Sequence, residues 1–560
     1  LSVPGRLFAR SWFSPGSLSE AKASVVPAPP LQELFFTEYE GLRYGHRIEM
    51  ELEGRGHGWT DVTEDVLDSP GINFDHGIAG AGPLDVVAST GQLAFALNNS
   101  EENSAGLLGY YSPQHSACRP GFALGIGVRY YYRPPAGYQG VDDSNYFVKK
   151  FTGRLKRISP QAGQYGERKT VCSAVDWMDE AANFRPNVAT LVGKRGDEVL
   201  TTLLAAMPRQ PDSVVFDVGD SVFPYALDNS RSESDPITTE IQRISQSEFG
   251  RCYIRGGLLN WGALHWEKRS ARLAVEPVMQ FLGTMQALEG TEDAQKIRNK
   301  AKVTAHPRRV DAGDTTVLFA KPNQSNPSVG PGLSIKIVGR YTDPTNPQAR
   351  VGGMDMRTPV ASTDYLMNAA ADGSGADFTA NFSVVAAYGA NQVEYTITNN
   401  GGSAGFITKL QARGRGLYDY DPIDTEALDQ ASIDLIGESL IALDMPYQGD
   451  AAIAAAVAEF LVLTWVAEGP AEQTLRFIPR DVDELLLAVA LGPGHPIAVM
   501  EPLTNVNAIY FIQRAAQSIE ELGEKVTFEW LLQRALVQDY WQVGVAGFGE
   551  LGITTVLAPL

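Results

Sequence analysis

Residues 47–54 read RIEMELEG, and this stretch decides the fold class. Ile48, Met50 and Leu52 fall on one side of an extended chain and Glu49, Glu51 and Glu53 on the other, because successive strand side chains point to opposite faces. That is a strand with one buried and one wet face. The same period continues downstream. WTDVTEDVLDSPGINF (59–74) gives a turn and a second strand. In GQLAFALNNSEEN (91–103), Leu93, Phe95 and Leu97 share a face before an Asn-rich turn. GIGVRYYY (125–132) and YFVKKFTGRLKRISP (146–160) are two more strands, joined by a Pro/Gly/Asp-rich loop over 133–145. A last strand over 169–174 runs into Asp176-Trp177-Met178-Asp179-Glu180-Ala181, a helix start with acids in its first turn. At least five strands with long loops predict a small barrel or sandwich over residues 46–185.

Outward from that unit the pattern changes. Residues 1–45 hold VVPAPPLQ (25–32), whose three prolines predict an extended N-terminal arm, ordered by packing on a neighbour. Residues 186–305 read as an α/β domain. GDEVLTTLLAAM (196–207) repeats an apolar face at Val199, Leu203 and Leu204. A second helix over 236–249 puts Ile237, Ile241, Ile244 and Ser245 on one side and stops at Gly250. GRCYIRGGLLNWGALHWEKR (250–269) reads as a hairpin around Gly256-Gly257. Residues 306–420 read as a β-sandwich, with Val393, Tyr395 and Ile397 alternating against polar residues and turns at Asp372-Gly373 and Asn400-Gly401. Residues 421–560 mix helices (424–439 and 450–467) with strands at HPIAVMEP, AIYFIQRAAQSI and KVTFEWLLQRAL, a second barrel-like unit. The fold class expected is α+β, mainly β: several barrel or sandwich domains with an inserted α/β unit and a β-sandwich.

The 560 residues carry a formal net charge of −20. Binding DNA through its phosphates needs clustered Lys and Arg, so that function class is not expected. The charge serves solubility, or an acidic channel that DNA slides through without sticking. Cys118, Cys172 and Cys252 are far apart, with no CxxC pair or Cys/His cluster of zinc spacing, so free thiols are expected and no metal or cofactor. The most apolar helical stretch, 451–466, contains Glu459 and is too short to span a bilayer. The opening LSVPGRLFARSWF lacks the apolar core of a signal peptide.

No catalytic trio stands out, and GxSxG, HExxH and GxxxxGK[ST] do not occur. GFALGIG (121–127) reads as strand bends. The paired acids Asp142-Asp143 and Asp176/Asp179 fit the two carboxylates of a glycosidase, but a chain with 66 acids shows such pairs by chance, and helix capping is the expected role of Asp176 and Asp179. His46, His57, His76, His115, His265, His306 and His495 have no metal-ligand spacing. Tyr130, Tyr131 and Tyr132, with Tyr138 and Tyr146 across the loop, read as strand packing before a sugar platform. Lys149, Lys150, Arg154, Lys156 and Arg157 form a basic patch that is expected to meet an acidic neighbouring subunit.

The order of segments carries a resemblance. WTDVTEDVL (59–67), AFALNNSEEN (94–103), Pro120-Gly121 before VRYYY, FTGRLKRISP (151–160) and VCSAVDWMDEAA (171–182) resemble the N-terminal unit of siphophage tail-tip proteins, the baseplate hub (phage minor tail protein) family. TEIQRISQSEFGRCYIRGGLLNWGALHW (239–266), VEYTITNNGGSAGFITKLQARG (393–414) and MPYQGDAAIAAAVAEFLV (445–462) resemble later segments of the same proteins, in the same order. The resemblance spans about residues 46–560. It implies a structural virion protein with no catalytic residues, made in the host cytoplasm. Its tail-tube-like barrels would form a ring around the tail axis, usually a homotrimer in which two barrels per chain imitate a hexamer. Implied partners are the distal tail protein ring, the end of the tape-measure protein and other tail-tip and fibre proteins, with DNA only as passing cargo at ejection. The chain ends short of the fibre-like extension of larger hubs, so receptor binding is the weaker expectation. The alternatives are a receptor- or carbohydrate-binding tip protein, which the sandwich and the Tyr-rich loop suggest, and a wall-degrading module, which only the acid pairs suggest.

Overall fold

A computed structural model describes residues 45–535, apart from 55–57, 133–147, 163–167, 228–234, 256–261, 273–276, 283–284, 291–293, 323–325, 344, 347–348, 467–471, 481 and 521–524. The alternating stretch forms β1 (His46–Met50), followed by β2 (Thr60–Asp61), β3 (Ile72–Gly77), β4 (Gln92–Asn98), β5 (Gly127–Tyr132), β6 (Val148–Pro160) and β7 (Lys169–Val175). These seven strands pair antiparallel in the order β3-β4-β7-β6-β5-β1-β2. Ile48, Met50, Leu93, Phe95 and Leu97 are all buried on the expected face. The strand ends sooner than its pattern. Past Met50, Glu51 is itself buried, and its N–H donates to Gly127 O at 3.0 Å. Helix α1 (Trp177–Asn183) follows β7.

The α/β unit holds β8 (Leu191–Arg195), α2 (Gly196–Ala205), β9 (Ser213–Phe216), β10 (Val222–Ala226), α3 (Ile237–Glu248), β11 (Arg251–Arg255) and β12 (Ala263–Glu267). The predicted apolar faces meet: Val199, Leu203 and Leu204 of α2 share one core with Ile237, Ile241 and Ile244 of α3. α3 does not use Gly250 as its left-handed terminator. Phe249 takes that conformation, at φ 57°, while Phe249 N donates to Gln246 O and Gly250 N to Ser245 O at 2.8 Å. This double closure is the Schellman motif. The reason a phenylalanine sits there is packing: its ring meets Phe460 at 5.5 Å. β11 and β12 pair antiparallel, and β9 joins β12 in parallel. The expected hairpin tip, Gly256-Gly257, lies outside the described residues.

Next come β13 (Met279–Leu282), β14 (Ala287–Glu289) and β15 (Lys300–Ala305). Strands β16–β24 run between Arg308 and Asp419 and pack as two sheets. In one, β24 (Gly405–Asp419) pairs with five strands; the other is β19 (Ser334–Arg340), β23 (Gln392–Asn399) and β22 (Phe382–Tyr388). Val393, Tyr395 and Ile397 face Ile407, Leu410 and Tyr418 in the core between them. The chain goes on through β25 (Ile423–Leu428), α4 (Gln430–Ile436), β26 (Leu440–Met445) and α5 (Ala451–Val466). The sheet β25-β15-β26 is covered by α5. The helix expected over 424–439 is therefore mostly not one: β25 is a strand and α4 has seven residues. Glu426, Ala427 and Leu428 are helix formers by propensity, and pairing with β15 overrides them.

The last elements are β27 (Glu472–Phe477), α6 (Val482–Ala490), β28 (Pro496–Glu501), β29 (Val506–Glu520) and β30 (Lys525–Arg534). They form a second set of strands, β13-β28-β29-β30-β27-β14. Residues 279–289, read from the sequence within the α/β segment, supply β13 and β14 here. Their partners lie about two hundred residues on, so no local pattern names them. Phe281, Phe477, Phe528 and Trp530 fill this half with edge-on and stacked rings 4.8–6.3 Å apart. The two sets join through β29 and β3 into one 13-stranded sheet, so the chain is mainly β with an inserted α/β unit and a sandwich.

The seam of the large sheet as candidate functional site

The seam exists because β29 changes partner. Along one edge it pairs first with β28, from Val506 opposite Glu501 to Phe511 opposite Pro496. It then pairs with β3, from Arg514 opposite Gly77 to Ile519 opposite Ile72. β30 lies along its other edge, with a bulge between Ile512 and Arg514. The skipped residue, Gln513, is the changeover point. Its carbonyl accepts from Ile78 N at 2.8 Å, across the seam. Its buried side chain donates to Gln533 Oε1 at 2.6 Å, and Gln533 Nε2 donates onward to Ala81 O and Gly82 O. Gly77, at φ 114°, makes the close approach possible: a Cβ there would overlap Gln513 O and sit 2.7 Å from the Pro493 ring. Arg514 of β29 pairs with Asp75 of β3 at the surface of the same seam.

A third unit locks on where α6 ends and the loop 491–495 begins. Lys150 of β6 is buried and its Nζ donates to Val489 O at 2.6 Å. Arg255 of β11 donates to Pro493 O at 3.0 Å. Gly494, at φ 87°, lies against the Tyr253 hydroxyl with no room for a Cβ. That hydroxyl donates to Glu267, the carboxylate that Arg251 and Arg255 also reach at 2.8 and 3.4 Å. The first half, the second half and the α/β unit thus meet around one buried polar cluster. Burial holds Lys150, His76 and His495 there toward their neutral forms. It pushes the Lys150 ammonium down to about 7. It pushes His76 and His495 down to about 3, helped for His76 by Lys150 and Arg255 and for His495 by Arg255. A lysine titrating near neutrality is the mark of many catalytic sites, but Lys150 is enclosed and spends its donor on a backbone carbonyl of the opposite half. The arrangement is suited to fastening.

The sequence-level candidates fall elsewhere. Asp176 caps α1, accepting from Met178 N at 3.0 Å. Burial raises its carboxyl to about 8. Asp179 pairs with Lys156 at 2.7 Å. Asp176 therefore caps as expected, while Asp179 forms an ion pair that was not expected. Asp142-Asp143, Tyr138, Tyr146 and His57 lie outside the described residues. Tyr130, Tyr131 and Tyr132 are buried; Tyr130 and Tyr132 sit in the core of the sheet, so they offer no sugar-stacking face. Much of the basic patch is paired within the chain. Lys149 reaches Asp212 at 3.7 Å, Arg154 reaches Glu180 at 3.1 Å and Lys156 reaches Asp179, all within the chain, and Lys150 faces inward. The sequence showed the charges of β6, but the acids that answer them stand on α1 and in the loop before β9. Cys118, Cys172 and Cys252 are free thiols. Among the described residues, no group of three or more His, Cys, Asp or Glu is placed to hold a metal ion, and no helix is long and apolar enough to cross a membrane. Nothing local in the sequence flagged Gln513, Gly77, Gly494 or Arg255, because their roles depend on strands far apart along the chain.

No protein-family model matches the chain, and no curated protein matches its sequence. Solved structures do match. A tail protein from Neisseria meningitidis MC58 aligns over 88% of this chain and 96% of its own, with 9% identity and a TM-score of 0.45. The 43 kDa tail protein of prophage MuSo2 from Shewanella oneidensis aligns over 88% and 98%, with 7% identity and a TM-score of 0.45. The E. coli c3393 protein, a type VI secretion component described as similar to the T4 tail proteins gp27 and gp5, aligns over 84% and 73%, with 7% identity and a TM-score of 0.34.

Proposed function

We propose that this chain is a structural component of a bacteriophage tail tip, a baseplate hub that rings the tail axis. In this reading it joins the distal tail ring to the tip and forms part of the DNA conduit. One observation carries the reading: two sets of strands from one chain, antiparallel except where β13 joins β28, share a single continuous sheet through the β29–β3 seam. Such a chain contributes two rigid, similar-sized blocks to an assembly. Three copies would place six blocks in a closed ring, with the short end strands β2 and β14 meeting between copies. A ring under load needs its blocks fixed to one another, and the buried cluster at residues 491–495 supplies that fixing within each copy. The chain is read as non-enzymatic, its work being assembly and passage. Its net charge of −20 suits a channel that DNA crosses without adhering.

Inter-copy disulfides test the ring. Thr60→Cys on β2 and Leu288→Cys on β14 are introduced together, with Cys118→Ser removing the one thiol that is not buried. The reading predicts oxidised covalent dimers and trimers on a denaturing gel, stopping at three. Monomers only, or a ladder continuing past three, would contradict it.

A further inference from the structure

The short excursion between β25 and β26 is built in an unusual way. α4 buries none of its residues, so apolar packing does not hold it. Polar contacts do, most of them from one side chain. Asn299, completely buried, donates from Nδ2 to Gly437 O at 2.7 Å and to Ser432 Oγ at 3.3 Å, and accepts from Ser439 N at 2.7 Å. Its backbone carbonyl accepts from Asp429 N at 2.9 Å. Both ends of the excursion are thereby pinned to the residue before β15, and the Asp429 side chain caps the helix through Ser432 N. The apolar residues are left facing out. Leu435 is 82% exposed, and Leu428, Ile436 and Leu440 are exposed with it. Leu428 and Leu440 stand in one row across the sheet, each directly opposite Lys300. Single exposed leucines are ordinary on protein surfaces, but a group of them on a rigid mount marks a contact surface.

We infer that the α4 excursion is a docking knob for a different protein, one that offers an apolar groove bordered by Lys or Arg. Charge selects that occupant. Glu426, Asp434 and Glu438 alternate along the chain with Leu428, Leu435 and Leu440, and Lys300 reaches the two glutamates, at 3.7 and 3.3 Å. The rim is net acidic, so a basic-rimmed partner complements it. The same knob on a second copy brings a like-charged rim and is disfavoured.

Site-specific cross-linking tests this. A photo-activatable amino acid replaces Leu435 in the full-length chain, made in the cell that naturally produces it, and cross-linked peptides are identified by mass spectrometry. The expected result is a peptide from another protein, apolar with Lys or Arg beside the attachment point. Its yield should fall several-fold in the Glu426→Lys/Glu438→Lys double variant. Because Leu435 is mostly exposed, the label should leave the melting temperature of the purified chain unchanged, which separates docking from misfolding. Cross-links confined to this chain, whether to residues 1–44 or to a second copy, overturn the inference. So does a label that reacts only with solvent, and so does a partner yield indifferent to the charge reversal. The readout does not require the chain to lie in a tail tip, so the two proposals fail independently.

Discussion

Phe249 shows what packing can impose on a single residue. A non-glycine residue in the left-handed region costs roughly 1–2 kcal/mol, and the Phe249 ring offsets this by filling the core under α5 against Phe460. The usual ranking of substitutions is reversed as a result. Phe249→Ala loses the ring and keeps the strain, costing about 3–5 kcal/mol. Phe249→Gly loses the same ring but relieves the strain, so denaturant melts should show it about 1 kcal/mol less damaging than Ala. Asp176 makes a prediction about pH. Burial raises its folded-state pKa from 3.8 to about 8, so the folded chain holds a proton that the unfolded chain releases. Its contribution is complete below about 3.8 and is lost as pH rises toward 8. Asp176→Asn keeps the capping oxygen and should flatten the fall in melting temperature across that window, whereas Asp176→Ala also forfeits the cap, about 1 kcal/mol. His76 and His495 act in the opposite sense. Their folded values are depressed from 6.5 to about 3, so the unfolded chain takes up protons first and stability drops as pH falls through that range. His76→Phe, which preserves stacking on Phe74, should remove part of the acid-side slope.

At the scale of elements, the seam depends on two glycines. Gly77→Ala and Gly494→Ala each place a Cβ against fixed neighbours at positive φ, and each should cost about 1–3 kcal/mol or more. Hydrogen exchange in either variant should accelerate first at Ile72–Gly77 and along the second half of β29. A variant that exchanged faster only in the sandwich would contradict the seam account. Elements with their own period were legible from the sequence: β1 from Ile48 and Met50, β4 from Leu93 to Leu97, β23 from Val393 to Ile397, and α3 from Ile237, Ile241 and Ile244. Elements defined by distant partners were not. β25 looked helical because Glu426, Ala427 and Leu428 favour helix in isolation. β13 and β14 are three or four residues long and gain identity only by pairing with β28 and β27. The ion pairs of β6 were visible as charges and invisible as pairs for the same reason.

At the scale of the whole molecule, the segment order carried the resemblance while the join between the two halves stayed hidden. A sheet order is a statement about contacts, and the sequence lists only neighbours along the chain. What the structure adds is that β1–β7 and β27–β30, from opposite ends of the chain, are one sheet with β13 and β14 from its middle, locked where the α/β unit reaches in with Arg255. The proposed function would place that sheet around the tail axis, two blocks per copy. The most direct measurement is cryo-electron microscopy of intact particles, with the density of this chain located in the tail. The account predicts three copies encircling the axis at the distal end, each with its two strand sets side by side in the ring. Copies found only on peripheral fibres or spikes, or strand sets from one chain lying apart, would contradict it.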